Sequence, residues 1–158
     1  MTMHADLWSF TLDFYAQPGV EQACLTLQAS GANVCALLCG VWLDQHRVRF
    51  DQQHAAQIGQ LASGWDVQVV KPLRELRTHW KPLAVADREL GALRDRLKTL
   101  ELDAERELLA RLERVVAERE SGQDTQSGDV WLIALAGQAA NLAPDALQTL
   151  LRAGTSAA

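Results

Sequence analysis

This chain of 158 residues has little that announces a compartment or a chemistry. Its longest apolar run, Val34 to Leu43, is about half the length that a membrane-spanning helix needs. The first twenty residues contain neither Lys nor Arg, so the cationic start of a secretory leader is missing. Three cysteines, an odd number, do not make a disulfide framework. These absences lead to the expectation of a reduced, cytoplasmic protein with no membrane segment. Catalytic signatures are missing too: there is no GxSxG, no HExxH, no Gly-rich phosphate loop and no defensible Ser/His/Asp or Cys/His arrangement. An inward-facing Glu-x-x-His pattern, which a di-metal helical site uses, is likewise absent. The expectation is a protein without metal or cofactor, more a binding module than an enzyme. A net charge of -5 weighs against non-specific binding to nucleic acid or to an acidic membrane.

What is present is helical. Strand alternation, internal repeats and low-complexity tracts are not seen, and 48% hydrophobic residues suit an ordinary globular domain. A single all-α domain over residues 1–158, of about seven helices, is expected. Asp6 can cap a first helix with Leu7, Phe10 and Phe14 on its apolar face. Pro18 suits the first position of a second helix, which carries Val20, Cys24 and Leu27 and stops at Gly31. Asn33 caps a third, spanning 33–43 and apolar on nearly every side. A short helix with no wet face is a central one. Ala36 and Gly40, four residues apart, would let a neighbouring helix approach closely.

Asp51 can cap a fourth helix through Ala55, Ile58 and Ala62, with His54 as a solvated residue of its first turn. Gly64 interrupts this pattern, and Trp65, Val69, Leu73, Leu76 and Trp80 resume it. Pro72 removes a backbone donor there, which requires a kink or a fresh start, and Pro82 closes the segment. The longest periodic stretch, a charged helix over about 87–119, opens at Asp87 and carries Leu90, Leu93, Leu97, Leu100, Ala104, Leu108, Leu112 and Val115. A second line, Leu102, Leu109 and Val116, lies about a quarter turn away, so the C-terminal half needs two packing partners. Unbroken, such a helix would be roughly 50 Å long, more than a compact body of about 40 Å accommodates. It must break, project as a hairpin arm, or lie across a homodimer that uses Leu102, Leu109 and Val116. The segment 121–128, SGQDTQSG, reads as a flexible linker, after which Asp129 caps a further helix and Pro144 opens a last one. Residues 154–158 are expected to fray.

Candidate sites are few. Cys35 and Cys39 stand one turn apart with Cys24 upstream, but thiols on an apolar helix behave as small buried hydrophobes. His46 and His54 near Asp44 and Asp51 show no metal-ligand spacing. The five Trp fall mostly on apolar stripes; Trp80, at a helix end beside Pro82, is the exception. The carboxylates Glu101, Glu105, Asp103 and Glu107 alternate with Arg106, Arg111 and Arg114, as on the mixed-charge surface of a long helix. The local departure is KPLRELRTHWK: Lys71, Arg74, Arg77 and Lys81 against Glu75 give net +3 in a chain of -5. They share one helical face, and Arg offers a planar fork to oxyanions. That face, with Trp80, would meet a protein partner, or a nucleic acid or small anion as the less favoured ligand. Its simpler role is pairing with acids of the long helix.

The stretch LWSFTLDFYAQPGVEQACLTLQASGANV, followed by an apolar helix ending in WL, resembles a family of short proteobacterial proteins known only as conserved and of unknown function. VVKPLRELR and LRDRLKTLELDAERELLARLE are similar to that family's second and third segments, so the resemblance reaches about Val116. The family pattern favours Asp at the Asn33 position and Asn at the Cys35 position; the chain departs there, which further weakens a metal reading of Cys35. The resemblance implies a small helical protein and directs attention to Pro72–Arg77. It brings no activity.

Overall fold

Helix starts follow their side-chain caps. Asp6 Oδ1 accepts from the Ser9 amide at 2.6 Å and opens α1 (Leu7–Tyr15). Asn33 Oδ1 accepts from Ala36 at 3.0 Å ahead of α3 (Val34–Gln45). Asp51 Oδ1 accepts from Gln53 at 2.9 Å and His54 at 3.3 Å at the start of α4 (Gln52–Trp65). The computed structural model describes residues 6–117 and 130–156, all of them helix or connection. The expected linker 121–128, the cap at Asp129 and residues 157–158 fall outside those described.

Between these helices lies α2 (Val20–Ala29). Its first position is not Pro18: Pro18 and Gly19 form the preceding turn, and Gly19 takes φ 83, a left-handed conformation that a side chain would strain. Gly31, at φ 105, ends α2 as expected, while the Ala32 amide returns to the Leu27 carbonyl at 3.0 Å.

Helix α3 is the axis of the body. Every residue from Cys35 to Leu43 is buried, and α1, α2, α4, α6 (Arg88–Ala117), α7 (Val130–Ala136) and α9 (Pro144–Ser156) all pack on it. Gly40 makes the closest of these approaches possible: a Cβ there would stand 3.0 Å from Leu132 Cα. Asp44, at the end of α3, seats α7 by accepting the Trp131 amide at 2.9 Å on one oxygen and the Leu132 amide at 3.0 Å on the other. One carboxylate thereby satisfies donors that open another helix. The short α8 (Ala139–Leu142) leads into α9, which includes Gly154 and Thr155 of the segment expected to fray. Gln45 Nε2 holds that end, donating to the Gly154 carbonyl at 2.9 Å.

His54 is not a solvated residue. It is 1% exposed, its Nε2 lies 3.2 Å from the Val115 carbonyl, and its ring meets Trp131 edge-on. Its first-turn position in α4 is exposed only until α6 and α7 close over it, and both come from distant parts of the chain.

Neither Gly64 nor Pro72 breaks the next segment. α4 runs into a single π-helical turn, Asp66–Val70, and this into α5 (Lys71–Ala84). A proline ring clashes with the carbonyl four residues back in α-geometry. The widened turn, with the Lys71 amide bonded to the Asp66 carbonyl, sits at the place where Pro72 would otherwise meet Gln68. Pro82 lies inside α5, which continues two residues further.

Asp87 then caps α6, accepting from the Leu90 amide at 3.0 Å. At 30 residues α6 is unbroken, roughly 45 Å long. It is not broken, and it pairs with α5 as a hairpin. The C-terminal half of α6 lies in the body between α1 and α4. On the α1 side Arg106 stacks over Trp8 and Glu113 accepts the Leu7 amide; on the α4 side Arg111 stacks over Trp65 and His54 reaches Val115. Among the described residues, α5 packs chiefly on α6 and the π-turn.

This arrangement corrects the reading of the second apolar line. Leu109 and Val116 are 2% and 8% exposed within the core of their own chain, where α1, α3 and α4 all pack on α6. Leu102 alone of the three is exposed, at 52%.

Candidate functional site at the hairpin arm

The basic face of α5 divides. Arg74 and Arg77, three residues apart, turn toward α6, whereas Lys71 and Lys81 stay exposed. Arg74 Nε donates to Glu101 Oε1 at 3.1 Å and its Nη2 to Glu105 at 3.4 Å. Arg77 Nε closes on the other Glu101 oxygen. Arg94 completes the fastening by donating from Nε to the Arg77 carbonyl at 2.9 Å. Glu101 is thus a bridge between two guanidinium groups, only 7% exposed, and not one more carboxylate of a solvated face.

Burial alone pushes the Glu101 carboxyl up, but the hydrogen bonds from Arg77 and Arg74 outweigh it and hold the group below its ordinary value. Those bonds favour the charged form. Glu105, one turn on, goes the other way. Its desolvation dominates, Arg74 compensates only in part, and the charges of Glu101 and Asp66 add to the rise. The Arg77 guanidinium is held above its ordinary value by its bond to Glu101.

Beside this network a cleft of about 350 Å³ opens between the arm's base and the ends of α1, α2 and α3. Asp66, at the first position of the π-turn, and Tyr15 line it together with Glu105 and Cys35. A π-turn is a frequent feature of functional sites. The cleft carries no activated nucleophile: desolvation pushes the Cys35 thiol far up, and the Tyr15 hydroxyl up to about 12. Cys24 and Cys39 are raised to about 12 by burial and are, like Cys35, unpaired. Among the described residues no three His, Cys, Asp or Glu side chains are placed to hold a metal ion together.

A second concavity, about 550 Å³, runs along the outer side of the hairpin. Its floor is Trp80 of α5 with Leu93, Leu97 and Leu100 of α6; Arg96, Thr99 and Asp103 form its rim. Leu97 is buried there, but Leu93 and Leu100 are about half exposed, at 49% and 52%. Trp80, expected from its position to be an exception among the tryptophans, is the one that borders this groove. Trp65 and Trp131, in contrast, are tied down, donating from Nε1 to the Ala104 and Val48 carbonyls, each at 2.9 Å.

The five expected binding residues therefore do not lie together on one free face. Arg74 and Arg77 are engaged by α6, Trp80 floors the groove, and Lys71 and Lys81 face solvent. Leu93, Arg96 and Leu100 were passed over in the sequence because they read as ordinary members of a long periodic helix. Their one signal is that the apolar stripe of 90–100 continues beyond any helix available to cover it.

Residues 6–112 match a family described as "Protein of unknown function (DUF2390)". The chain belongs to this family. The DUF2390 match takes in α1 to α5 and α6 as far as Leu112, hence the whole arm, its ion-pair network and both concavities. Helices α7 to α9, which close over α2 and α3, lie beyond it. Among curated proteins and among solved structures, none matches the chain. No helix among the described residues is long and apolar enough to cross a membrane.

Proposed function

We propose that the protein is a non-enzymatic interaction module, an adaptor of the bacterial cytoplasm, whose projecting α5–α6 hairpin is the part that meets a protein partner. One observation carries this reading: α5 buries none of its residues, yet the arm is fastened in a defined position by a bridged Arg–Glu–Arg network. An arm with no partner would have no need of so expensive a fastening, because each charge brought out of water is costly. Residues 71–100 hold eight Lys and Arg against four Asp and Glu, net +4; as the whole chain is -5, the rest carries -9. Glu101, Asp103 and Glu105, which follow directly, offset three of those charges. The three unpaired, buried thiols suit a reducing compartment. Nucleic acid or a small anion is less well served, since Arg74 and Arg77 already hold carboxylates.

The test is affinity capture of the tagged full chain from a bacterial lysate, with and without nuclease, for the native chain and for Trp80→Ala with Leu93→Ala. The expected result is a nuclease-resistant protein that the double variant no longer retains. A nuclease-sensitive catch, or the same catch by both chains, overturns the reading.

A further inference from the structure

We infer that the cleft at the base of the arm binds a small organic cation, an amine or amidine carried on a compact apolar body. Its volume of about 350 Å³ lies at the small end of the range for ligand pockets. Its make-up is also theirs, apolar walls with a few convergent polar groups. Leu25 of α2, Val34 of α3, Val70 of the π-turn and Leu108 of α6 supply the walls. The polar groups are Tyr15 at the end of α1, Gln28 of α2, Asp66 at the start of the π-turn and Glu105 of α6. The Tyr15 hydroxyl, the Gln28 amide and the Asp66 carboxylate have no hydrogen-bond or ion-pair partner among the described residues. Buried or half-buried polar groups in a protein are ordinarily satisfied, so a cleft where several are not has room for a ligand that satisfies them.

Charge decides the class of ligand. The charged residues of the lining are Arg74 and Arg77 against Asp66, Glu101 and Glu105, two cations and three anions. Both cations are spent: Arg77 closes on Glu101, and Arg74 divides itself between Glu101 at 3.1 Å and Glu105 at 3.4 Å. One negative charge is left unbalanced, shared by Asp66 and the Glu105 oxygen to which Arg74 does not donate. A half-buried carboxylate without full compensation is costly, and the raised Glu105 carboxyl is the sign of that cost. An ammonium or amidinium supplies the missing charge, with the Tyr15 oxygen as a further acceptor beside the two carboxylates. An anion finds no such place, because the guanidinium donors already face acids. This holds whether or not the arm meets a protein.

The test is titration of the intact chain with benzamidine and benzylamine, followed by NMR of the backbone amides. Benzyl alcohol and benzoate serve as neutral and anionic probes of similar shape. The two cations are expected to bind and to shift the amides of Tyr15, Asp66 to Val70 and Glu105; the other two probes are not. Binding should weaken about tenfold or more on Glu105→Gln and on Asp66→Asn, the worth of one charge-assisted hydrogen bond. Glu105→Gln is the sharper variant, since it removes a carboxylate that costs the fold stability. It should melt higher than the native chain and yet bind less, a combination that unfolding cannot mimic. Benzoate or benzyl alcohol bound as well as the cations would overturn the site. So would cations held equally by the native chain and both variants, or no binding of either cation at millimolar concentration.

Discussion

Helices α3 and α5 stand at opposite extremes of one chain. α3, with 12 residues, buries every one from Cys35 to Leu43; α5, with 14, buries none. The first is held by apolar burial, which has no direction and scales with area. The second is held by charge-assisted hydrogen bonds to Glu101 and, from Arg74, to Glu105, which act only in one geometry. Stability is therefore expected to be uneven. The body should open only with the whole molecule, whereas the arm should detach locally at lower cost.

The largest break in the comparison comes from the body. Leu37 is fully buried at the centre of α3, and Leu37→Ala should cost about 2–5 kcal/mol and lower the melting temperature of the entire domain. Gly40→Ala tests the same helix by overpacking. Its new methyl would stand 3.0 Å from Leu132 Cα, so α7 must shift, at about 1–3 kcal/mol. Either variant melting like the native chain would show that α3 is not the axis.

Next in size is the arm's fastening. Arg74→Ala with Arg77→Ala leaves Glu101 almost buried and without its cations. The expected cost is about 2–3 kcal/mol, below the range for a wholly buried pair because both guanidinium groups are partly exposed. What distinguishes the arm is where the cost falls. Amide exchange should quicken through α5 and the N-terminal half of α6, while α3 keeps its protection. Faster exchange in α3 as well would mean that arm and body unfold as one.

Acid should act on the same joint. The folded Glu101 carboxyl lies below its ordinary value of 4.5, so its contribution is complete above that value and is lost as the pH falls through the lower, folded one. Glu105 is raised, and its sign is opposite: it costs stability at neutral pH, and the cost disappears on acidification. Glu105→Gln should therefore raise the melting temperature at pH 7 and leave it unchanged near pH 3. Glu101→Gln should lower it at pH 7 with the difference shrinking in acid. Measuring both variants across that range separates the two carboxyls, and parallel curves would refute the assignment.

How much of this could be read from the residues depends on the distance between partners. Caps were legible because donor and acceptor lie within three residues: Asp6 with Ser9, Asn33 with Ala36, Asp51 with His54. The centrality of α3 was legible because a helix with no polar face has one place to go, and Gly40 marked the close approach that α7 makes. The π-turn was not, since Pro72 signals only that an α-helical bond is lost and not how the helix absorbs the loss. His54 and the line of Leu109 and Val116 were misplaced because the groups that bury them lie far along the chain. For the arm, pairing of α5 cations with acids of the long helix was the simpler reading, and Arg74 and Arg77 follow it. That Glu101 would be the shared, buried acid needed the fold of the hairpin.

The smallest expected effect on stability sharpens the contrast most. Arg96→Glu changes an exposed rim residue with no ion pair among the described residues, so the folding free energy should move by no more than about 0.5 kcal/mol. Leu93→Ser, half exposed at the groove, should likewise leave amide exchange in the body unchanged. If the arm exists for the stability of the fold, these two variants are silent in every assay. If it exists for a partner, they are silent in melting and exchange but not in capture, because an interface concentrates its energy in a few anchoring side chains. A residue that costs the fold nothing and costs the complex tenfold belongs to a surface kept for binding, and Leu93 and Arg96 are the positions at which that division is expected.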